Sequence, residues 1–282
     1  MRKRLPSTHS GFRSFKGMDK FCNSFDIIGD IAIIKLPGNS AVNAKTAAKT
    51  IMSRHRNLKT VLLQTSPVSG EFRLRCLFHV AGENKTSTVH KELGCLFFVD
   101  TAKSYFSPRL SYERMRIARL VKPNETIVNM FAGVGCFSIM IAKRANPAKV
   151  FSIDINSEAI QCMYENIRLN RVYGKVIPLL GDSKELINSR LQRVADRVLM
   201  PLPEKALEYL SCALGALRVS GGWIHYYAFE HATKIESPAE KAKSKLVKKL
   251  YALGVDFEVP LVRVVRSTGP NWYQVAVDVK IM

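Results

Sequence analysis

The alternation of apolar and polar positions changes character partway along the chain. Residues 25–36 (FDIIGDIAIIKL) hold two short β-branched runs around Gly29-Asp30, the pattern of a hairpin. Residues 43–57 are rich in Ala and Lys and read as a helix. Strand-like runs follow at 59–64, 72–80, 87–90 and 95–99. Residues 23–106 are therefore expected to form a small α+β domain. From 108 onward the pattern differs. Residues 108–121 read as a charged helix stopped by Pro123-Asn124. Strands at 126–131, 149–154, 175–180, 196–200 and 222–227 then alternate with helices at 136–145, 157–170, 184–190, 204–217 and 236–253. Two last strand runs, 255–266 and 272–281, flank Gly269-Pro270.

Strands alternating with helices at this spacing argue a doubly wound, mostly parallel α/β sheet over residues 107–282. The final two strands are joined by a short turn, which no parallel crossover can use, so at least one of them runs antiparallel. Seven strands ending in such a hairpin is the layout of Rossmann-like methyltransferases dependent on S-adenosyl-L-methionine (AdoMet), rather than of nicotinamide dehydrogenases.

Composition narrows the partners. The net charge is +20 on 282 residues, with 47% apolar positions. That is enough apolar material for a core, and no run of 18 residues lacks a charge or turn residue, so no membrane span is expected. Residues 1–22 are basic without an apolar run and read as a flexible tail rather than a secretory signal. The six cysteines show no CxxC pair, which suggests reduced thiols and a cytoplasmic protein, with neither a disulfide frame nor a metal site. A charge this large attracts polyanions. The segment 238–252 carries only a modest apolar stripe, a poor membrane anchor, and the basic residues are spread along the chain. A nucleic acid fits that distribution better than a membrane surface.

One strand-to-helix junction stands out. The first strand of the α/β part runs into NMFAGVGCFS, with Gly133 and Gly135 where backbone can approach a ligand closely. A dinucleotide fingerprint would place a third glycine at Ser138. The second strand ends at Asp154, where a carboxylate can accept from both ribose hydroxyls. The third ends at Gly181-Asp182-Ser183, where a carboxylate can accept from an adenine amino group. The competing assignment makes Asp154 and Asp182 caps of the helices that follow them.

With these residues in view, the chain resembles the archaeal and eukaryotic tRNA (guanine-37-N1)-methyltransferases and the related wyosine-pathway enzymes. The similarity rests on SGEFRLR (69–75), YFSPRLSYERMRI (105–117), NMFAGVGCFSI (129–139), FSIDIN (151–156), DRVLMPLPEKALEYL (196–210) and GGWIHYY (221–227). It implies methyl transfer from AdoMet, without a metal, to guanine-37 in the anticodon stem-loop of tRNA by a monomeric enzyme. It also implies that Glu113 is the general base and that Arg73 supports the guanine O6. Arg114, Asp154, Asp182 and Ser183 would contact AdoMet, and Phe131, Gly133, Gly135, Ile155 and Pro201 would border it. The competing assignment for Glu113 is a helical ion pair with Arg109 or Arg116.

The chain departs from the family pattern at Asn129, often acidic, and at Pro201-Leu202-Pro203, often Asn-x-Pro. A proline at 201 keeps the backbone carbonyl but has no side-chain amide to hold a base. Two alternatives follow. One is a wyosine-pathway transferase, acting by C7 methylation or aminocarboxypropyl transfer on the same base. The other is an RNA-binding protein that keeps the fold without catalysis.

Overall fold

The computed structural model describes residues 24–36 and 41–282; the expected basic tail lies outside them. Two compact units appear. One runs to Lys91 and includes Val99–Tyr112; the other comprises Glu92–Phe98 and Glu113–Met282.

The first unit is built on a four-stranded sheet. Strands β1 (Ser24–Ile28) and β2 (Ile31–Lys35) form the expected antiparallel hairpin, turning at Gly29 with φ 56°. Helix α1 (Ala41–Arg54) then crosses to β3 (Thr60–Gln64), which lies parallel to β2. Strand β4 (Leu77–Gly82) closes the sheet antiparallel to β3. Ala44, Ala48 and Ile51 of α1 share one buried core with Ala32, Ile34, Val61 and Leu63 of the sheet. The strand expected over 72–80 starts only at Leu77. Ser69 and Leu74 exchange both backbone hydrogen bonds, at 2.9 and 3.0 Å, and close a turn that holds Arg73 at φ 55°. FRLR thus alternates like a strand but is fixed as a turn. Beyond it, β5 (Ser87–Glu92) and β6 (Cys95–Asp100) pair through Leu93-Gly94, both at positive φ, as a two-residue hairpin turn requires.

A 3₁₀ turn at Pro108–Leu110, still in the first unit, leads into α2 (Ser111–Leu120), which belongs to the second unit from Glu113 on. The sheet strands are β7 (Thr126–Asn129), β8 (Lys149–Asp154), β9 (Val176–Leu180), β10 (Arg197–Met200), β11 (Gly222–His231), β12 (Phe257–Gly269) and β13 (Trp272–Ile281). Their order is β12-β13-β11-β10-β7-β8-β9. Only β13 opposes its neighbours, pairing antiparallel with both β11 and β12. The helices are α3 (Cys136–Arg144), α4 (Ser157–Asn170), α5 (Ser183–Arg190), α6 (Leu210–Ala216) and α7 (Pro238–Ala252). All four residues of β10 are buried, as expected of a central strand covered on both faces. Leu210 and Ala213 of α6 and Leu246 and Leu250 of α7 belong to one core with Val198, Met200, Ile224 and Val277. The helix expected over 204–217 is shorter, because residues 203–209 form successive turns in which Leu202 O accepts from both Lys205 and Ala206.

The chain proceeds from β7 outward through β8 to β9, then returns to the other side of β7 for β10. The crevice outside the carboxyl ends of β7 and β10 is therefore a topological switch point, where open α/β sheets bind ligands.

Candidate active site

The crevice is assembled from four adjacent strand ends. After β7 the chain passes Phe131 and turns at Gly133 (φ 56°) and Gly135 (φ 86°). Gly135 is the N-cap of α3, and a Cβ there would stand 2.6 Å from Met163 Cγ, so both conformation and space require glycine. Asp154 closes β8. Its Oδ2 accepts from Gly133 N at 2.6 Å and its Oδ1 from Asn156 N at 3.0 Å. Asp154 therefore ties the glycine turn to the second strand and does not cap α4. That cap is Asn156, which accepts from Glu158 and Ala159. Burial pushes the Asp154 carboxyl up, against the two backbone donors that pull it down.

Asp182 does cap α5, through Lys184 N at 2.7 Å, so the competing assignment holds there. It also accepts from Tyr209 Oη at 2.7 Å. Tyr209 in turn lies edge-on to Phe131, 5.2 Å between ring centroids. The buried Ser183 donates to Met130 O, fastening α5 to the end of β7. Ile155 directly follows β8 and Pro201 directly follows β10. Both expected carboxylates, both glycines, Phe131, Ile155, Ser183 and Pro201 thus come to one edge of one sheet.

The acceptors suit a ligand rich in donors. Each carboxylate oxygen has more than one lone pair. Asn129 Oδ1, fully buried at the end of β7, has no hydrogen-bond partner among the described residues, while its Nδ2 donates to Ser138 Oγ at 3.1 Å. Ribose hydroxyls, an adenine amine and an amino-acid ammonium are donors of the kind such a rim can take. Among the described residues no group of three or more His, Cys, Asp or Glu is placed to hold a metal ion, and no helix is long and apolar enough to cross a membrane.

Glu113, in the first turn of α2, is 1% exposed. Its Oε1 accepts from Arg116 Nη2 at 2.7 Å and from Tyr227 Oη at 2.8 Å. Its Oε2 accepts from Arg116 Nε at 3.1 Å and Arg263 Nη1 at 3.2 Å. The i,i+3 pair with Arg116 is one of the two helical partners considered from sequence. Arg116 is shared, since its Nη1 donates to Asp278 Oδ2 at 2.5 Å. Asp278 Oδ1 meets His225 Nδ1 at 2.6 Å, and His225 Nε2 faces Arg197 Nη1 at 2.7 Å. Arg197 has no acceptor to offer, so Nε2 accepts and Nδ1 carries the proton donated to Asp278. Burial lowers the His225 ring despite Asp278, which keeps it neutral. Burial also acts to raise Asp278, but His225 and Arg116 outweigh it and hold the carboxyl well below the usual range. Burial and Glu113 push the Tyr227 hydroxyl well up, so it remains a donor.

Two expected site residues have other surroundings. Arg114, 2% exposed, forms a two-pronged ion pair with Glu92, with Nε to Oε1 at 2.8 Å and Nη2 to Oε2. Arg73 belongs to the first unit, where its guanidinium lies 4.7 Å from the centroid of the Tyr105 ring. His225 is satisfied within the core, and Tyr227, Arg263 and Asp278 join the Glu113 cluster although the sequence motifs did not single them out. Tyr227 sits inside GGWIHYY and was there to be weighed; nothing local marks Arg263 or Asp278.

A sheet of this order, with a glycine turn and two carboxylates at its carboxyl edge, defines an AdoMet-dependent methyltransferase fold. The chain matches the TRM5/TYW2 methyltransferase domain over residues 88–253 and the TYW2 N-terminal domain over residues 14–86, and it belongs to that family. It is 42% identical over 266 residues to the tRNA (guanine(37)-N(1))-methyltransferase Trm5b of Pyrococcus abyssi, covering 92% of this chain and 74% of the relative. The solved complex of aTrm5 and tRNALeu superposes with a TM-score of 0.80 at 38% identity, covering 95% of this chain and 75% of that one. TYW2 of M. jannaschii in complex with AdoMet gives 0.67 at 30% identity, covering 92% and 99%.

Proposed function

We propose that this protein transfers a methyl group from AdoMet to N1 of guanine-37 of tRNA, acting as a monomer on the anticodon stem-loop. The observation that carries the proposal is Glu113, a buried carboxylate fixed by Tyr227, Arg116 and Arg263 in the same compact unit as the glycine turn. Guanine N1 bears a proton and is a weak nucleophile. Its methylation needs a base at N1 and positive charge at O6, where negative charge grows. Glu113 takes the proton and Arg73 supports O6. AdoMet supplies an activated methyl group and a neutral leaving group. Asp154 receives the ribose hydroxyls and Asp182 the adenine amine. Gly133 and Gly135 allow close approach, Phe131, Ile155 and Pro201 border the cofactor, Ser183 holds α5 against β7, and Arg114 steadies α2 through Glu92. The small α+β domain positions the RNA, whose target base must leave its stack.

The test is the nucleoside formed from unmodified tRNA and AdoMet. Guanosine methylated at N1 supports the proposal. An unmethylated product, or a methyl group at another atom, overturns it. Pro201 and the TYW2 N-terminal match favour one second reading, transfer to C7 of the tricyclic wyosine base. Tricyclic tRNA offered in the same assay separates the two.

Asp154→Ala should weaken AdoMet binding more than tenfold while leaving tRNA binding nearly intact, because hydrogen bonds to charged groups are worth about 1.5–3 kcal/mol each. Calorimetry reads both affinities. Since the Asp154 carboxyl is raised, it protonates at a higher pH than an ordinary aspartate, and wild-type AdoMet affinity should fall earlier on acidification. An unchanged affinity in the variant would remove Asp154 from the site.

Affinity for tRNA should fall steeply with salt. Each neutralised phosphate contributes a slope of about −0.7 to −0.9 in log K against log salt, so four to six contacts give roughly a hundredfold loss between about 50 and 200 mM. AdoMet affinity should barely move. A tRNA affinity flat across the titration would mean that the +20 charge serves another partner.

A further inference from the structure

Three side chains touch the Glu113 carboxylate, and they differ in one respect that bears on how a substrate reaches it. Tyr227 is 1% exposed, and the Arg116 side chain is 14% exposed and clamped from behind by Asp278. The Arg263 side chain, on β12, is 29% exposed and makes the longest of the contacts, 3.2 Å from Nη1 to Oε2. Both oxygens accept from Arg116, but Oε1 also holds the buried Tyr227 whereas Oε2 holds the more exposed and more distant Arg263, so an incoming base meets Glu113 at Oε2 by displacing Arg263.

Beside one another, Oε2 of Glu113 and Nη1 of Arg263 present an acceptor next to a donor. The lactam edge of guanine carries the complementary order, a donor at N1–H next to an acceptor at O6. Adenine carries the reverse, an acceptor at N1 and a donor at the exocyclic amine, and would set donor against donor at Arg263. We infer that Arg263 is a further catalytic residue, which reads the guanine lactam edge together with Glu113 and shares with Arg73 the charge that develops on O6, whose two lone pairs can take two donors. The inference rests on Glu113 acting as the base. In the step it describes, the N1–H bond breaks and the proton goes to Glu113 Oε2. The N1–CH₃ bond forms while the S–CH₃ bond breaks, and its electron pair stays on sulfur. Arg263 neither gains nor loses a proton. Its guanidinium moves from the Glu113 carboxylate, which is being neutralised, to the oxygen that is becoming negative. The attraction that caps Glu113 before the base arrives is thereby replaced by one made in the transition state, the condition for raising kcat rather than only lowering KM.

The experiment compares Arg263→Ala, Arg263→Gln and Arg263→Lys in single-turnover methylation of a tRNA transcript at saturating AdoMet. Affinities for tRNA and AdoMet and the melting temperature are measured alongside. Loss of one oxyanion donor costs about 10²–10³ in rate. The Ala and Gln variants should slow by about a hundredfold or more, with tRNA and AdoMet affinities within about threefold of wild type. Lys, still a donor and a cation, should recover about tenfold over Ala. A structural role would instead lower the melting temperature and rate together without recovery by Lys. Should Ala fail to fold, Gln, which keeps part of the stem, carries the comparison. A Gln rate within about threefold of wild type overturns the inference. So does a loss of tRNA affinity as large as the loss of rate, which would make Arg263 a phosphate contact. Glu113→Gln run in parallel separates the two levels. If it keeps the wild-type rate, the base assignment fails; if it loses the rate while Arg263→Gln keeps it, the base stands and Arg263 alone drops out.

Discussion

Glu113→Gln is expected to slow methyl transfer by roughly 10²–10⁴-fold, the usual contribution of a general base. The amide keeps the size of the side chain but cannot take a proton at neutral pH. It also turns one acceptor into a donor inside a ring of donors. Oε1 now faces Tyr227 and Arg116, and Oε2 faces Arg116 and Arg263, so an NH₂ group in either place meets an N–H or O–H. Arg116 keeps Asp278 as a counter-charge, so the fold should survive the change. AdoMet binding close to wild type would confirm a folded protein, and the single-turnover rate then reports the base. A rate within about threefold of wild type would mean that Glu113 serves only as the ion-pair partner of Arg116.

Asp278→Ala is expected to cost about 3–5 kcal/mol of stability, the usual penalty for removing one member of a buried ion pair. The change strands two groups at once. Arg116 loses a charged partner, and His225 Nδ1–H loses its acceptor at the buried end of β13. At about 2–4 °C per kcal/mol for a chain of this size, the melting temperature should drop by roughly 6–20 °C. The pH dependence has a definite sign. The Asp278 carboxyl is depressed in the folded protein, so its contribution is fully present above the unfolded carboxylate pKa of about 3.9 and disappears as the pH falls through the lower folded value. The stability gap between wild type and variant should therefore persist through neutral pH and close only in strong acid. Melting curves at several pH values would show it, and a gap unchanged down to the acid limit would argue that the loss is one of packing.

Local pattern carried most of the fold. The seven-stranded sheet announced itself through β-branched runs separated by helical stretches, and the final antiparallel pair through a linker too short for a crossover. That the glycines and carboxylates gather at one edge of the sheet was legible for the same reason, since residues at strand ends are defined by their place in a local element. Sequence could not decide what Asp154 and Asp182 do beyond that. The structure gives the α4 cap to Asn156, two residues on, whereas Asp182 is both cap and Tyr209 acceptor. FRLR shows where local pattern misleads: its alternation promises a strand, but the Ser69–Leu74 bonds close it as a turn. The surroundings of Glu113 were illegible for a different reason. Arg263 is 150 residues from it, and Asp278 is 162 from Arg116; no periodicity spans such distances.

That separation bears on how the protein comes into being during synthesis. Glu113 leaves the ribosome before each of Tyr227, Arg263 and Asp278, and contacts this distant in sequence form only after large loops have closed. The glycine turn and Asp154, 21 residues apart, can meet much earlier. A nascent chain ending before β12 can already contain the glycine turn bonded to Asp154, yet it holds Glu113 without Arg263 and leaves Arg116 without Asp278. Docking of β12 and β13 onto β11 is then the step that completes the surroundings of Glu113, and on the roles proposed for Glu113 and Asp154, cofactor binding should be acquired before turnover as the protein is made.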